Sequence, residues 1–258
     1  GGTGWYRVDA RYLDVWNGLA ASRVNAEGQL RLGTIYSAAL EALFGPPRRR
    51  EDPVTQREMD LARSTQAMFE RAVGQCLTTL GKSVALDRLA MAGGCALNGV
   101  MNARALRDFP IDGAYLHAAA SDDGTAVGAA FHCWHQRLGR SERFHMRHAY
   151  WGPEHGDAAI AAALDGCPFP VRECASPQAA VGVAADLIAA GAVTGWYQGR
   201  SEWGPRALGN RSILANPAIP DMKERINRKI KRRESFRPFA PSVLRRAVGR
   251  YFEQDIAS

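Results

Sequence analysis

The sequence predicts an α/β protein, in which short apolar strands alternate with helices. Two strand–turn–helix units precede residue 140, and a new series of helices and strands follows it. The composition is that of a globular chain, because 46% of the 258 residues are hydrophobic and 23% are charged. A chain of this length forms one large or two smaller domains. We predict two domains, residues 1–148 and 149–258, because a polar stretch and Tyr150-Trp151-Gly152-Pro153 separate the two series.

Two helices open the first half. Residues 32–44 are apolar at helical spacing, and Gly45-Pro46-Pro47 ends them. Residues 55–80 predict one long core-packing helix, because apolar or small residues recur there every three to four positions, with Gln66 the exception. Thr55 stands three residues before a glutamate, which is the pattern of a capping box.

A glycine turn joins the first predicted buried strand, residues 89–92, to a helix. Gly93 and Gly94 form the turn, and Asn98 stands near the helix start. Such a turn is common for purely structural reasons, yet backbone N–H groups at a helix start also suit a phosphate.

A second strand, residues 114–117, leads to two adjacent carboxylates, Asp122 and Asp123. A helix of small residues follows, so the carboxylates suit a helix cap as well as a ligand site. His132 and His135 lie on that helix and are interpreted as core or surface residues, because a metal site needs further donors.

The second half is organised around a glycine-rich loop, residues 199–211, which we call the arginine loop. It carries three arginines and three glycines: Arg200, Arg206, Arg211, Gly199, Gly204 and Gly209. Glycine lets a backbone bend towards a ligand, and arginine binds phosphate or carboxylate with two parallel donors. The loop therefore predicts an oxyanion site. Further elements are predicted as helices over 157–164, 177–190 and 221–231 and a strand over 192–197.

Positive charge is concentrated near the C-terminal end. Residues 221–250 hold eleven Lys and Arg against three acids, a net of +8, whereas the whole chain carries +7. Such a segment serves either nucleic acid or a small phosphorylated ligand. Phe236 and Phe239 interleave with Arg237 between prolines, so we expect part of this segment to fold inward rather than form a solvated face.

Other function classes are disfavoured. No apolar run approaches the roughly 18 residues of a membrane helix, and Gly1 to Trp5 do not resemble a signal peptide. The five cysteines are odd in number and widely spaced, as expected of reduced thiols. We therefore expect a cytoplasmic protein without a membrane partner.

Two motifs resemble the O-carbamoyltransferases of the nodulation-factor, cephamycin and antibiotic-tailoring type. One is Gly-Arg-Ser-Glu-Trp-Gly-Pro-Arg-Ala-Leu-Gly-Asn-Arg-Ser-Ile over residues 199–213. The other is Lys-x-Arg-Glu-x-Phe-Arg-Pro-Phe-Ala-Pro over residues 231–241. The resemblance implies an incomplete sugar-kinase/actin-like domain over 1–148. A YrdC-like α/β domain, shortened at its C-terminal end, is implied over 149–258.

The same resemblance implies a reaction. Carbamoyl phosphate and ATP would give carbamoyl-adenylate, and the carbamoyl group would pass to a hydroxyl of a small-molecule acceptor. Arg206, Lys231 and Arg237 match the family's donor-phosphate positions and are assigned as catalytic, with Arg200 as a further donor contact. The nucleotide contacts would be Gly93, Gly94 and Asn98.

Iron (Fe2+) is also implied, with Asp122 as its ligand. Here the sequence departs from the family, because it contains no His-x-x-x-His motif. The family's insertion before the Pro-Arg-Arg at residues 47–49 is also missing. Two alternatives remain beside this enzyme: a threonylcarbamoyl-type RNA-modifying enzyme, and a non-catalytic module that binds nucleotide or RNA. Nucleic acid is otherwise not expected as a partner, and a homodimer is compatible with the resemblance.

Overall fold

The computed structural model describes residues 9–49 and 51–253. Helices and strands alternate along the chain, which confirms the predicted mixture of α and β structure. The chain divides after Leu116 into two compact units. Residues 117–148 thus group with the second unit, while the boundary between functional domains at residue 148 stays a prediction.

The first unit contains four helices and four short strands among its described residues. The helices are α1 (Val15–Ala20), α2 (Ala38–Phe44), α3 (Gln56–Leu80) and α4 (Gly99–Asp108). The strands are β1 (Arg23–Val24), β2 (Leu30–Arg31), β3 (Arg88–Met91) and β4 (Gly113–Leu116). The predicted helix over 32–44 begins only at Ala38, because residues before it pair with earlier chain: Leu30 lies opposite Val24, and Tyr36 forms a bridge with Leu13.

The long helix α3 has the start that the sequence predicts. Glu58 accepts a hydrogen bond from the backbone N–H of Thr55 at 2.9 Å, which closes the capping box. The helix packs against α4, and a buried cluster of Leu77, Leu86, Met101 and Ala105 forms the core of this unit. The prediction of a core-packing helix is confirmed.

Strands β3 and β4 pair in parallel, with Arg88 opposite Gly113 and Met91 opposite Leu116. The prediction that the first of them is buried is wrong. Its side chains alternate between exposed and half-buried, because this sheet has only two strands among the described residues and one face stays open.

The second unit holds the arginine loop. Its helices are α5 (Thr125–His132), α6 (Asp157–Leu164), α7 (Pro177–Ala189), α8 (Met222–Arg225) and α9 (Val248–Tyr251). Its strands β5 (Thr194–Tyr197) and β6 (Arg211–Leu214) pair antiparallel, with Tyr197 opposite Arg211. The helix predicted over 221–231 is α8 followed by a wider helical turn, Ile226–Ile230. Among the helices of the described ranges, none combines the length and the apolar character that a bilayer crossing demands.

Candidate functional site

The neck of the arginine loop is tied by Asn210. The backbone N–H of Gln198 donates to the Asn210 carbonyl oxygen at 3.0 Å, and the two side-chain amides bond at 3.1 Å. The Asn210 amide also donates to the carbonyl oxygen of Arg200 at 2.8 Å. These hydrogen bonds join the two ends of the loop where it connects β5 to β6.

Inside the loop lies a buried carboxylate, that of Glu202, which is 2% exposed. Its Oε1 accepts hydrogen bonds from the backbone N–H groups of Leu208, at 2.6 Å, and Asn210, at 2.8 Å. Its Oε2 lies 3.2 Å from Nε of Arg211, whose Nη2 donates to the carbonyl oxygen of Gly204. Arg211 is therefore bound into the loop's scaffold.

The charge of Glu202 is maintained despite burial. Burial raises the pKa of this carboxyl, but the backbone N–H bonds and the nearby Arg211 guanidinium outweigh that effect and bring the pKa below its ordinary value. Sequence reasoning missed Glu202. The available signal was an acidic residue inside a loop whose other charged residues are all basic.

Arg206 lies at the exposed tip of the loop, between Gly204 and Gly209. Within residues 9–49 and 51–253, nothing forms a hydrogen bond or ion pair with its guanidinium. Arg200 differs, because its Nε donates to the carbonyl oxygen of Gly152 at 3.2 Å. The loop thus fixes Arg200 and Arg211 to its frame and presents Arg206 to solvent.

The segment before α6, residues 149–153, supports this frame. Gly152 donates its backbone N–H to Ser201 at 2.9 Å, and Ser201 donates to Pro153 at 3.1 Å. The N–H of Trp203 donates to the carbonyl oxygen of Ala149 at 2.7 Å. Residues 149–153 therefore bond to the start of the arginine loop much as a neighbouring strand would.

A second support is the main chain of Ala118 and Ala119, which we call the alanine strip. Gly204 has a φ of +122°, and a Cβ atom there would lie 2.6 Å from the carbonyl oxygen of Ala118. A Cβ atom at Gly124 would likewise collide with the carbonyl oxygen of Ala119. The arginine loop and the turn that carries Asp122 therefore press on the same short piece of backbone.

The basic segment contains a second organising side chain, the fully buried amide of Asn227. It donates to the carbonyl oxygens of Arg237, at 2.9 Å, and Ser235, at 3.2 Å. Its Oδ1 accepts from Nε of Arg233 at 2.7 Å, and that guanidinium lies 4.8 Å from the ring centre of Phe239. The expected inward fold is therefore centred on Asn227.

Phe236 does not take part in that fold and is 60% exposed. The hydrogen bonds of Asn227 go to main-chain atoms on either side of it, which leaves its ring outside.

Lys231 and Arg237, the other two predicted donor-phosphate residues, are exposed. Lys231 ends the wide turn, and its backbone N–H donates to Ile226 at 2.9 Å. Arg237 makes an exposed ion pair with Glu234 at 2.8 Å. No hydrogen bond or ion pair among the described residues fixes their distance from Arg206, so the convergence of the three cations stays a prediction.

At the predicted nucleotide turn, Gly93 and Gly94 are exposed, and the space beside Gly93 is open. Asn98 caps α4, because its Oδ1 accepts from the N–H of Met101 at 3.0 Å. Its amide donates to Gln66 at 2.8 Å. This pair explains why Gln66 interrupts the apolar face of α3. The nucleotide contacts assigned to Gly93, Gly94 and Asn98 stay predictions.

Next to this pair lies an ion pair between α3 and α4, in which Glu70 is buried and Arg104 is about half exposed. Gln66 donates to Glu70 at 2.8 Å, and Arg104 forms a short salt bridge with the same carboxylate. The hydrogen bonds from Gln66 and Arg104 lower the pKa of Glu70, although burial acts in the opposite direction.

The assignment of Asp122 as an iron ligand stays a prediction. Asp122 is exposed in a single turn, where its carbonyl oxygen accepts from the Thr125 hydroxyl at 2.6 Å. Across the part of the chain that the structure describes, no three His, Cys, Asp or Glu side chains group closely enough to hold a metal. His135 lies 3.0 Å from the carbonyl oxygen of Arg140.

Family models match most of the chain. The model of the carbamoyltransferase N-terminus matches residues 15–131, and that of the carbamoyltransferase C-terminus matches residues 185–258. The chain belongs to the carbamoyltransferase family. The C-terminal match includes the arginine loop, Asn227 and all the predicted donor-phosphate residues.

Curated relatives agree with this membership. The chain is 42% identical to the nodulation protein NolNO of Sinorhizobium fredii over 80% of its own length and 30% of that protein's length. It is 32% identical to the 3'-hydroxymethylcephem-O-carbamoyltransferase of Streptomyces clavuligerus over 65% of its own length and 30% of that enzyme. An uncharacterized Synechocystis protein is 42% identical over 90% of the chain and 40% of its own length. The chain thus spans less than half of each of these relatives.

Proposed function

We propose that the chain is part of an O-carbamoyltransferase that transfers the carbamoyl group of carbamoyl phosphate to a hydroxyl of a small natural product or sugar. One relative is named as a 3'-hydroxymethylcephem-O-carbamoyltransferase, which supports an acceptor of this chemical class. The proposal concerns the full-length protein.

The observation that carries the proposal is the division of labour among the loop arginines. Arg211 and Arg200 are bonded within the frame, whereas Arg206 is exposed without a partner among the described residues. An exposed guanidinium of this kind can bind a phosphate oxygen of the donor. Its positive charge would stabilise the negative charge that develops on that oxygen as the carbamoyl–phosphate bond breaks. Lys231 and Arg237 would contribute further positive charge.

Arg237 is compatible with this role despite its ion pair with Glu234. Both side chains are about half exposed, and a pair of this kind contributes about 1 kcal/mol at most. A phosphate group can therefore replace Glu234 as the partner of Arg237 at small cost.

In the proposed reaction, water releases phosphate from carbamoyl phosphate and leaves carbamate, and carbamate attacks the α-phosphorus of ATP to form carbamoyl-adenylate with release of pyrophosphate. AMP leaves, and the hydroxyl gives up its proton, when the acceptor oxygen bonds to the carbamoyl carbon. The YrdC-like domain would form the adenylate, and the sugar-kinase/actin-like domain, with Gly93, Gly94 and Asn98, would transfer the carbamoyl group. In the full-length protein, Asp122 would be one of the ligands of the implied iron.

The test uses full-length protein with Arg206→Ala, Arg237→Ala and, as a matched control, Lys229→Ala. Lys229 is an exposed cation of the same basic segment, outside the proposed site. We expect the two arginine variants to lose roughly tenfold to a hundredfold in the apparent affinity for carbamoyl phosphate, since each loses a charge-assisted hydrogen bond. The control should keep wild-type carbamoyl-phosphate-dependent phosphate release. Near-normal release by both arginine variants contradicts the proposal.

The salt dependence of ligand binding distinguishes this enzyme from an RNA-binding module. Binding through many nucleic-acid phosphates weakens steeply between about 50 and 200 mM salt, whereas a donor pocket with a few fixed cations responds much less. Tight RNA binding with the steep dependence, together with no carbamoyl-phosphate turnover, would favour the non-catalytic module.

A further inference from the structure

Glu202 is a buried acid in the middle of a basic loop, and the proposed reaction does not use it. Its side chain is completely shielded from solvent. A ligand bound at the loop's surface therefore has no access to this carboxylate, so any effect of Glu202 on the reaction has to act through other groups.

The bonds of Glu202 join both arms of the loop. The residue belongs to the incoming arm, and its Oε1 holds the N–H groups of Leu208 and Asn210 on the outgoing arm. Arg211, the ion-pair partner of Oε2, donates to the carbonyl oxygen of Gly204. Together these bonds close residues 202–211 into a ring, and Arg206 stands at its outer edge.

We propose that Glu202 is a positioning residue that holds this ring in the shape presenting Arg206 to the donor phosphate. The inference rests on the proposed function and names a residue that controls the same site. Two N–H groups that point inward to one carboxylate oxygen fix the backbone on the outgoing arm close behind Arg206. Without that anchor, the tip between Gly204 and Gly209 gains conformational freedom, and Arg206 has to be ordered again each time the donor binds.

A double-mutant cycle in the full-length protein tests whether Glu202 acts through Arg206. In the wild-type background, we expect Glu202→Ala to raise the KM for carbamoyl phosphate by roughly tenfold. In an Arg206→Ala background, the same change should raise KM by less than about twofold, because the group that Glu202 positions is already gone. Glu202→Gln keeps an oxygen for the two N–H bonds and should recover part of the loss.

Two further measurements separate positioning from a general loss of stability. Thr55→Ala removes part of the capping box of α3 and serves as the stability control, which should lower the unfolding temperature and leave the KM unchanged. Hydrogen exchange should become faster at the amides of Leu208 and Asn210 in Glu202→Ala, with or without donor. If Glu202→Ala does not fold, the cycle is run with Glu202→Gln.

The outcomes distinguish the two hypotheses. A wild-type protein that shows no dependence on carbamoyl phosphate overturns the proposed function and this inference together. Normal wild-type turnover with an unchanged KM in Glu202→Ala overturns the inference alone. So does an equal rise of KM in the two backgrounds, because Glu202 would then act independently of Arg206.

Discussion

The side-chain amide of Asn227 donates a hydrogen bond of 2.9 Å to the carbonyl oxygen of Arg237, ten residues further along the chain. The bond is fully buried at the Asn227 end, whereas the Arg237 side chain is exposed. A cation proposed to contact the donor is thus anchored by its own main chain. The bond holds the backbone of Arg237 in place, while its guanidinium pairs with Glu234 at an exposed site.

Replacement of Asn227 should therefore affect both stability and donor binding. Asn227→Ala leaves the carbonyl oxygens of Ser235 and Arg237 and the Nε of Arg233 without this partner, and we expect a loss of about 1–3 kcal/mol in stability. The thermal unfolding temperature and the KM for carbamoyl phosphate are the measurements. Asn216→Ala is the control, because among the described residues the Asn216 side chain accepts one local hydrogen bond, from the N–H of Ala218. Equal effects of the two variants would contradict the special role of Asn227.

The two glycines that flank the tip allow a matched comparison. Gly204 and Gly209 have nearly the same φ, +122° and +119°, but only Gly204 faces backbone, whereas the space beside Gly209 is open. Alanine at either position carries a conformational cost of about 1–3 kcal/mol. We expect Gly204→Ala to be clearly more destabilising and to raise the donor KM more. Indistinguishable unfolding temperatures would argue against the contact with Ala118.

Asn98 has two roles to separate, the observed helix cap and the predicted nucleotide contact. Asn98→Ala should cost about 1 kcal/mol in stability, because the N–H of Met101 loses its cap. Asn98→Asp keeps an oxygen for that N–H and should be less destabilising. ATP affinity is measured for both variants in the full-length protein. If both retain wild-type affinity, Asn98 is a cap and not a nucleotide ligand.

The Glu70–Arg104 pair predicts a specific pH dependence. The pKa of Glu70 is lowered in the folded protein, so the unfolded chain takes up this proton first as the pH falls. The stabilisation is present above the ordinary glutamate pKa of about 4.3 and is lost as the pH passes down through the folded-state value. Glu70→Gln should therefore flatten the acid side of the unfolding-temperature curve below about pH 5. An acid side as steep as that of the wild type would contradict this.

Sequence patterns predicted the helices well where local signals agree. The capping box and regular apolar spacing located α3, and the predicted helix over residues 157–164 matches α6. The start of α2 was misplaced, because the bridge between Tyr36 and Leu13 overrides the helical preference of the residues before Ala38. Such pairing depends on chain that is distant in sequence, and a local pattern contains no record of it.

The site was predicted only in its exposed part. The arginine motif located Arg206, but the sequence did not indicate the buried residues Glu202, which shapes the arginine loop, and Asn227, which shapes the basic segment. Both form hydrogen bonds mainly with backbone atoms, and because backbone groups are nearly the same in every residue, a sequence pattern does not reveal such partners. Gln66 illustrates the same limit. Its polar side chain interrupts the apolar pattern of α3, and only the structure identifies its partner, Asn98.

The alanine strip is in contact with both the arginine loop and the turn that carries Asp122. This backbone lies against both Gly204 and Gly124, so the arginine loop and the carboxylate turn share one main-chain contact. No side chain is present at either glycine that could be trimmed or lengthened to adjust that contact. A bulkier residue at either glycine would displace the strip, and through it the other loop. The positions of Asp122 and Arg206, which are 84 residues apart in the sequence, therefore depend on the same backbone contact.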